Sequence, residues 1–174
     1  AGTLEKKNAI WKVLCDRFFA HYVPNGGTIV DIGAGYCEFI NNICSQPHER
    51  GSFRKIAVDL NPDTQKFAQT DVQVINTDCM NITALESEFC DVIFISNFLE
   101  YLQTRELILK LFAECRRLLK KEGRILILQP NIRYVGMAYY DFFDHYTPLT
   151  DKSLIEALEI SGFHIETCIP RFLP

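Results

Sequence analysis

The chain of 174 residues lacks a basic excess: 18 Lys and Arg stand against 22 Asp and Glu, for a net charge of −4 and a pI near 5.6. A broad electrostatic footprint for nucleic acid needs the opposite balance, so that partner is not expected. No apolar run approaches the ~18 residues that a membrane span requires. The first residues carry no signal-peptide pattern, since Trp11–Leu14 is followed at once by Cys15, Asp16 and Arg17, and a secretory leader is not expected. There are seven cysteines, an odd number, and no two of them have Cys-x-x-Cys spacing. That excludes a zinc ribbon or dithiol motif, and no metal is expected. Most of these thiols lie in apolar runs, where they act as small hydrophobes, and the usage predicts a reducing, cytoplasmic compartment. Internal repeats and low-complexity tracts are absent. With 48% hydrophobic and 23% charged residues, the composition excludes a disordered, collagen-like or coiled-coil chain.

What is present is an alternation of β-rich runs and helical patterns. The spacing predicts a flanking N-terminal helix within residues 1–23, with Ile10, Val13, Leu14, Phe18 and Tyr22 on its apolar stripe. Strands are predicted at Thr28–Ile32, Phe53–Asp59, Val72–Ile75, Asp91–Ile95 and Arg124–Leu128, with a sixth at Phe163–Ile169. Helices are predicted at Cys37–Cys44, after an Asn61 cap with Pro62, over Arg105–Leu119 closed by Lys120, Lys121 and Gly123, and over Asp151–Ser161 behind a Thr150 cap. Strands that are apolar without alternation and are joined by helices predict one domain over 1–174. Its fold class is α/β: an open, doubly wound, mostly parallel sheet with helices on both faces. The ligand is expected at the carboxyl ends of the strands.

Chemistry concentrates at those ends. Val30-Asp31-Ile32-Gly33-Ala34-Gly35-Tyr36-Cys37 runs from a strand through Gly-x-Gly toward a helix, which lets a ligand approach the backbone closely. A plain tight turn would read the same way. Asp59 ends the second strand, 24 residues past Gly35, where a carboxylate accepts from both ribose hydroxyls. Asp78 follows the third strand, where a carboxylate accepts from the exocyclic amine of adenine. Each aspartate alone reads equally as a cap; together beside a glycine loop they point to adenosine. A dinucleotide fingerprint wants glycine where Glu38 stands, and a carboxylate there repels a pyrophosphate. The ligand read from the residues is therefore an adenosine without phosphates.

These segments resemble the class I S-adenosylmethionine-dependent methyltransferases along nearly the whole chain. VDIGAGYCEFI is similar to that family's first motif, AVDLNPD to its second, NTDCMNI to its adenine motif and DVIFISNFLEYL to its fourth-strand motif; KKEGRILIL is similar to the approach to its fifth strand. The third glycine of the family's usual loop is Cys37 here. The resemblance implies S-adenosylmethionine as cofactor and S-adenosylhomocysteine as product. It implies that Asp31, Gly33 and Gly35 line the methionine end, that Asp59 holds the ribose and that Leu60 packs on adenine. Asp78, the Cys79 amide and Met80 would meet the adenine edge, with Ser96 and Asn97 beside the sulfonium. Tyr36, Phe98 and Tyr101 offer aromatic faces to a cationic sulfur, though core packing explains each as well.

The acceptor side is expected in residues 130–149, a long connection that suits a substrate-facing cap. Six aromatic residues fall between Tyr134 and Tyr146, which suits stacking on a sugar ring or an apolar group. Within them Asp141, Asp144 and His145 form a candidate catalytic set: a histidine oriented by a carboxylate takes the proton of an alcohol acceptor. A histidine capping the Thr147-Pro148 turn is the plainer alternative. QPNIRY and FFDHYTPLTDKSLIEALEISGF resemble a bacterial subgroup associated with cell-surface polysaccharide synthesis. The expected function is methyl transfer to a small-molecule or sugar-like acceptor at oxygen. A carbon or nitrogen methyltransferase and a non-catalytic cofactor-binding module are the alternatives. Arg116, Arg117, Lys120 and Lys121 are read as a solvated helix end. The resemblance implies a final antiparallel strand between the fifth and sixth; that strand is expected to be missing, which would leave a gap or an exposed edge beside the fifth strand.

Overall fold

The computed structural model describes residues 2–43 and 52–172. The expected helix end at Cys44 lies outside the described residues. Five strands form one sheet in the order β3-β2-β1-β4-β5. They are β1 (Thr28–Ile32), β2 (Arg54–Asp59), β3 (Val72–Asn76), β4 (Cys90–Ser96) and β5 (Leu119–Leu128), and all four pairings are parallel. The chain order reverses at β1, which lies between β2 and β4. That is the topological switch point where an open α/β sheet binds its ligand.

Side chains alternate across the sheet with period two. Val30, Ile32, Ile56, Val58, Ile93 and Ile95 enter one core, which is closed by α3 (Arg105–Leu118) and α5 (Asp151–Ile160). Ile29, Ala57, Val92 and Phe94 enter the other, closed by α1 (Gly2–Arg17) and α2 (Glu38–Asn42). Covering both faces explains why the strands read as continuous apolar runs rather than as alternation. In the second core Phe39 stacks on Phe94 with centroids 3.5 Å apart, and Trp11 sets its edge against both.

That cluster corrects the expected face of α1. Ile10 and Val13 are exposed, while Trp11, Cys15 and Phe19 are buried. The i, i+4, i+8 row through Trp11 meets the Phe39–Phe94 stack, so the largest aromatic sets the rotation of the helix. α3 buries Ile108, Leu111, Phe112, Cys115 and Leu118. Its chain passes directly into β5 at Leu119, so Lys120, Lys121 and Gly123 belong to an irregular start of that strand, where the register on β4 shifts. Lys120 pairs there with Asp91. The Thr150 cap of α5 is present and is completed by Ser153.

The sixth strand is not formed: residues 163–169 carry no strand hydrogen bonds. Among the described residues β5 is an edge. A cavity of about 910 Å³ separates it from the following chain, lined by Ile125, Leu126 and Ile127 on one side and Phe163, Ile165 and Phe172 on the other. Phe163 and Ile165 pack on the first core and Phe172 on the second. Their side chains dock without bringing the backbone within pairing distance of β5.

Candidate active site

The loop after β1 is shaped by three left-handed residues, Gly33 (φ 71°), Gly35 (φ 50°) and Cys37 (φ 58°). Gly33 and Ala34 donate their amides to the Val58 carbonyl at 2.9 and 3.3 Å, which ties the loop to β2. A Cβ on Gly33 would lie 2.4 Å from the Phe98 ring, so only glycine fits between that ring and β1. Gly35 faces open space: a Cβ there would meet nothing nearer than 4.0 Å. Cys37 takes the left-handed cap of α2 despite its side chain, and its buried thiol reaches toward the Thr64 carbonyl.

Asp31 is buried beneath this loop. Burial pushes its carboxyl up to about 8, opposed by a hydrogen bond from the Ile40 backbone and reinforced by the nearby Asp59 and Glu38. Glu38 pairs with Lys7 of α1, whose ammonium also lies 5.9 Å from the Tyr36 ring centroid. Tyr36 in turn sets its ring edge-on to Phe67 at 4.8 Å.

At the end of β2, Asp59 accepts from the Gly35 amide at 2.7 Å and from the Asn61 amide at 2.8 Å. The carboxylate is thus held by the glycine loop itself, with lone pairs remaining on both oxygens. Leu60 beside it is 73% exposed and Tyr36 is 61% exposed, so two largely exposed side chains stand near a fixed carboxylate. These features fit an adenosine: open space before Gly35, an acceptor pair for a ribose and apolar faces for a base. The next strand end is braced to this one, as Asn76 and Thr77 donate to the Asp59 carbonyl. Asp78 accepts from the Met80 amide at 2.9 Å, which is the turn-capping role, and leaves its other oxygen uncommitted. Cys79 and Met80 pack on the first core, and burial pushes the Cys79 thiol up to about 12. At the end of β4, Asn97 is left-handed (φ 45°), donates its amide to the Leu128 carbonyl and reaches Ser96 Oγ through Nδ2.

The connection over 130–149 is more ordered than a loop. It holds α4 (Ile132–Val135) and a 3₁₀ turn over Gly136–Asp141. The segment after it is fastened to the end of β4: the Tyr146 and Thr147 amides donate to the Glu100 carbonyl, and Thr147 Oγ1 donates to the Leu102 carbonyl at 2.6 Å. His145 is thereby held among rings, stacked on Phe142 at 4.8 Å, with Tyr139 at 4.8 Å and Tyr101 at 5.5 Å. Its Nδ1 lies 3.0 Å from the Tyr139 carbonyl oxygen. A carbonyl only accepts, so the ring donates from Nδ1, and its neutral form carries the lone pair on Nε2. The partner that orients the ring is this carbonyl; Asp141 and Asp144 are exposed. Met137, Tyr140, Phe142 and Phe143 present apolar surface at the same rim.

Two further groups take places that the sequence reading did not give them. Glu100 is almost fully buried, accepts from Gln129 Nε2 at 2.7 Å and shares its surroundings with His145 and Asp144; burial raises its carboxyl. Its place in the apolar Leu99-Glu100-Tyr101-Leu102 run was the available signal. Arg117, read as solvated, is instead bonded to Glu114 and to backbone carbonyls of the loop before β4. Among the described residues, no group of three or more His, Cys, Asp or Glu side chains could hold a metal ion. Nor is any described helix long and apolar enough to cross a membrane.

The sequence profile of the methyltransferase domain family matches residues 30–127, which span the sheet and the strand ends just described. The chain belongs to that methyltransferase family. Solved structures agree. The methyltransferase is similar to an S-adenosylmethionine-dependent methyltransferase from Archaeoglobus fulgidus, with 28% identity and a TM-score of 0.76, over 90% of this chain and 69% of that one. It shares its fold with a Bacillus halodurans protein described as a methyltransferase, at 15% identity and a TM-score of 0.71, over 92% of this chain and 70% of that one. The same holds for a structure of the Haloferax volcanii Trm112 methyltransferase activator in complex with a methyltransferase, at 15% identity and a TM-score of 0.70, over 91% of this chain and 74% of the other. No curated protein matches the sequence. The enzyme is thus an S-adenosylmethionine-dependent methyltransferase of the Rossmann-like class.

Proposed function

We propose that this methyltransferase methylates a hydroxyl oxygen of a small, sugar-like acceptor held under the 134–146 cap, with His145 as the base. The observation that carries the reading is the fixed tautomer of His145: Nδ1 is engaged by the Tyr139 carbonyl, so Nε2 is the free basic nitrogen, in a wall of aromatic rings. Asp59 holds the ribose, with Leu60 on the adenine face and Asp78, the Cys79 amide and Met80 at its edge. Asp31, Gly33, Gly35 and Tyr36 line the methionine end, and Ser96 and Asn97 flank the reacting centre.

Bound S-adenosylmethionine supplies a methyl group on a cationic sulfur, which leaves as the neutral thioether. The protein's part is mainly alignment, because in-line displacement rewards the holding of both partners. His145 Nε2 takes the acceptor's hydroxyl proton while the oxygen forms its bond to the methyl carbon. The aromatic wall suits the C–H face of a sugar ring, and the resemblance of 129–134 and 142–163 to the polysaccharide-associated subgroup points the same way.

A turnover screen with methyl-labelled S-adenosylmethionine over nucleotide sugars, glycans, small alcohols and small amines tests this. The expected result is label on a hydroxyl oxygen of a sugar-like acceptor. Label found only on amines or on carbon overturns the oxygen assignment.

A further inference from the structure

The loop between β3 and β4 carries the adenine-edge residues Asp78, Cys79 and Met80, yet residues 77–89 contain no helix or strand of their own. Beyond its own turn bonds and the Thr77 amide's bond to the Asp59 carbonyl, its backbone is held from outside by one pair of side chains on α3. Glu114, almost fully buried, accepts from the Ile82 amide through Oε1 at 2.7 Å. Arg117 donates to the Ile82 carbonyl at 3.2 Å and to the Leu85 carbonyl at 3.0 Å. The two side chains hold each other by a forked pair of bonds, 2.8 Å from Nε to Oε2 and 2.7 Å from Nη2 to Oε1. The end of the same helix completes the grip, as the Arg117 and Leu118 carbonyls accept from the Glu88 and Phe89 amides at 2.8 Å. Both polar groups of Ile82, two residues beyond Met80, are therefore held by this pair, while its side chain is buried in the first core.

We propose that Glu114 and Arg117 form a positioning clamp for the cofactor site, setting the backbone of the 78–82 loop so that the enzyme discriminates adenine from other bases. The clamp needs a planar fork: one guanidinium serves a carboxylate and two carbonyls at once, which the single ammonium of lysine does not reproduce. The inference rests on the reading of Asp78 as the adenine acceptor, and the test separates the two.

The probes are S-adenosylhomocysteine and S-inosylhomocysteine, in which the exocyclic amine is replaced by a carbonyl. The readout is the ratio of their dissociation constants, measured by calorimetry on the full chain. General loosening of the protein weakens both ligands alike and leaves the ratio unchanged, whereas displacement of the adenine edge collapses it. In Asp78→Asn the preference for adenine is expected to fall about tenfold or more. Arg117→Lys is expected to lower it to a similar extent despite the retained charge, and Glu114→Gln, which keeps an acceptor for Ile82, by less. A collapse in Asp78→Asn with an unchanged ratio in both Arg117→Lys and Glu114→Gln overturns the clamp and leaves the Asp78 reading standing. An unchanged ratio in Asp78→Asn overturns that reading and the clamp with it.

Discussion

Asp31 and Asp59 are two carboxylates of one site with different circumstances. Asp59 accepts two backbone amides at the rim, whereas Asp31 is buried and its carboxyl is raised to about 8 from an ordinary 3.8. A raised carboxyl holds a proton in the folded chain that the unfolded chain has already released. Between about pH 4 and pH 8 the native state therefore binds more protons, and Asp31 makes stability fall as pH rises through that window. Urea unfolding at several pH values is expected to show this slope, and Asp31→Asn is expected to flatten it. An unaltered slope in the variant would mean the proton lies elsewhere. At Asp59 the expectation concerns binding: two charge-assisted hydrogen bonds at ~1.5–3 kcal/mol each imply that Asp59→Ala loses about 100-fold or more in S-adenosylhomocysteine affinity. Calorimetry reads it directly. The cysteines play no such part, since burial pushes Cys37 and Cys90 up to about 12 and leaves them protonated.

At the scale of elements, much was legible because the signals were local. The Asn61 cap with Pro62 and the Thr150 cap mark real helix starts, and Thr150→Ala is expected to cost about 1 kcal/mol in urea unfolding. What local pattern missed depended on contacts distant in sequence. The rotation of α1 follows from Trp11 meeting Phe39 and Phe94, far along the chain. Removing the centre of that cluster by Phe94→Ala is expected to cost ~3–5 kcal/mol, and a loss under 1 kcal/mol would mean the stack contributes little. Phe163–Ile169 has strand-like composition, but a strand also requires a backbone partner, which no local pattern specifies. Arg117 looked like a helix-end charge because its acceptors, Ile82 and Leu85, lie more than thirty residues earlier. The motifs proposed for the cofactor could be placed from sequence because each is a short run at a strand end, and the structure has them at the carboxyl ends of β1, β2, β3 and β4. The grip on the cap by the Glu100 carbonyl was not, because backbone acceptors carry no sequence signature.

Among the described residues the molecule is a parallel sheet covered on both faces, with β3 and β5 as its two edges. β1 and β4 have neighbours on either side, while β5 is paired with β4 alone among the described residues. The open side faces the cavity before Phe163, and Ile125–Leu128 are only partly covered as a result. Amide hydrogen exchange is expected to protect β1 throughout. Along Arg124–Leu128 protection is expected to alternate, the amides directed at β4 being slow and those directed at the cavity fast. Uniform protection along β5 would mean its outer edge is paired in solution. This architecture places the glycine loop, Asp59, Asp78 and Asn97 at one end of the sheet and fastens the aromatic cap to that same end through Glu100. The central claim, a base on that cap serving an acceptor oxygen, is tested most directly by His145→Ala. The account predicts unchanged affinity for S-adenosylhomocysteine and a methyl-transfer rate lower by about 100-fold or more, the usual contribution of a general base. A variant that transfers methyl groups at the wild-type rate would contradict it.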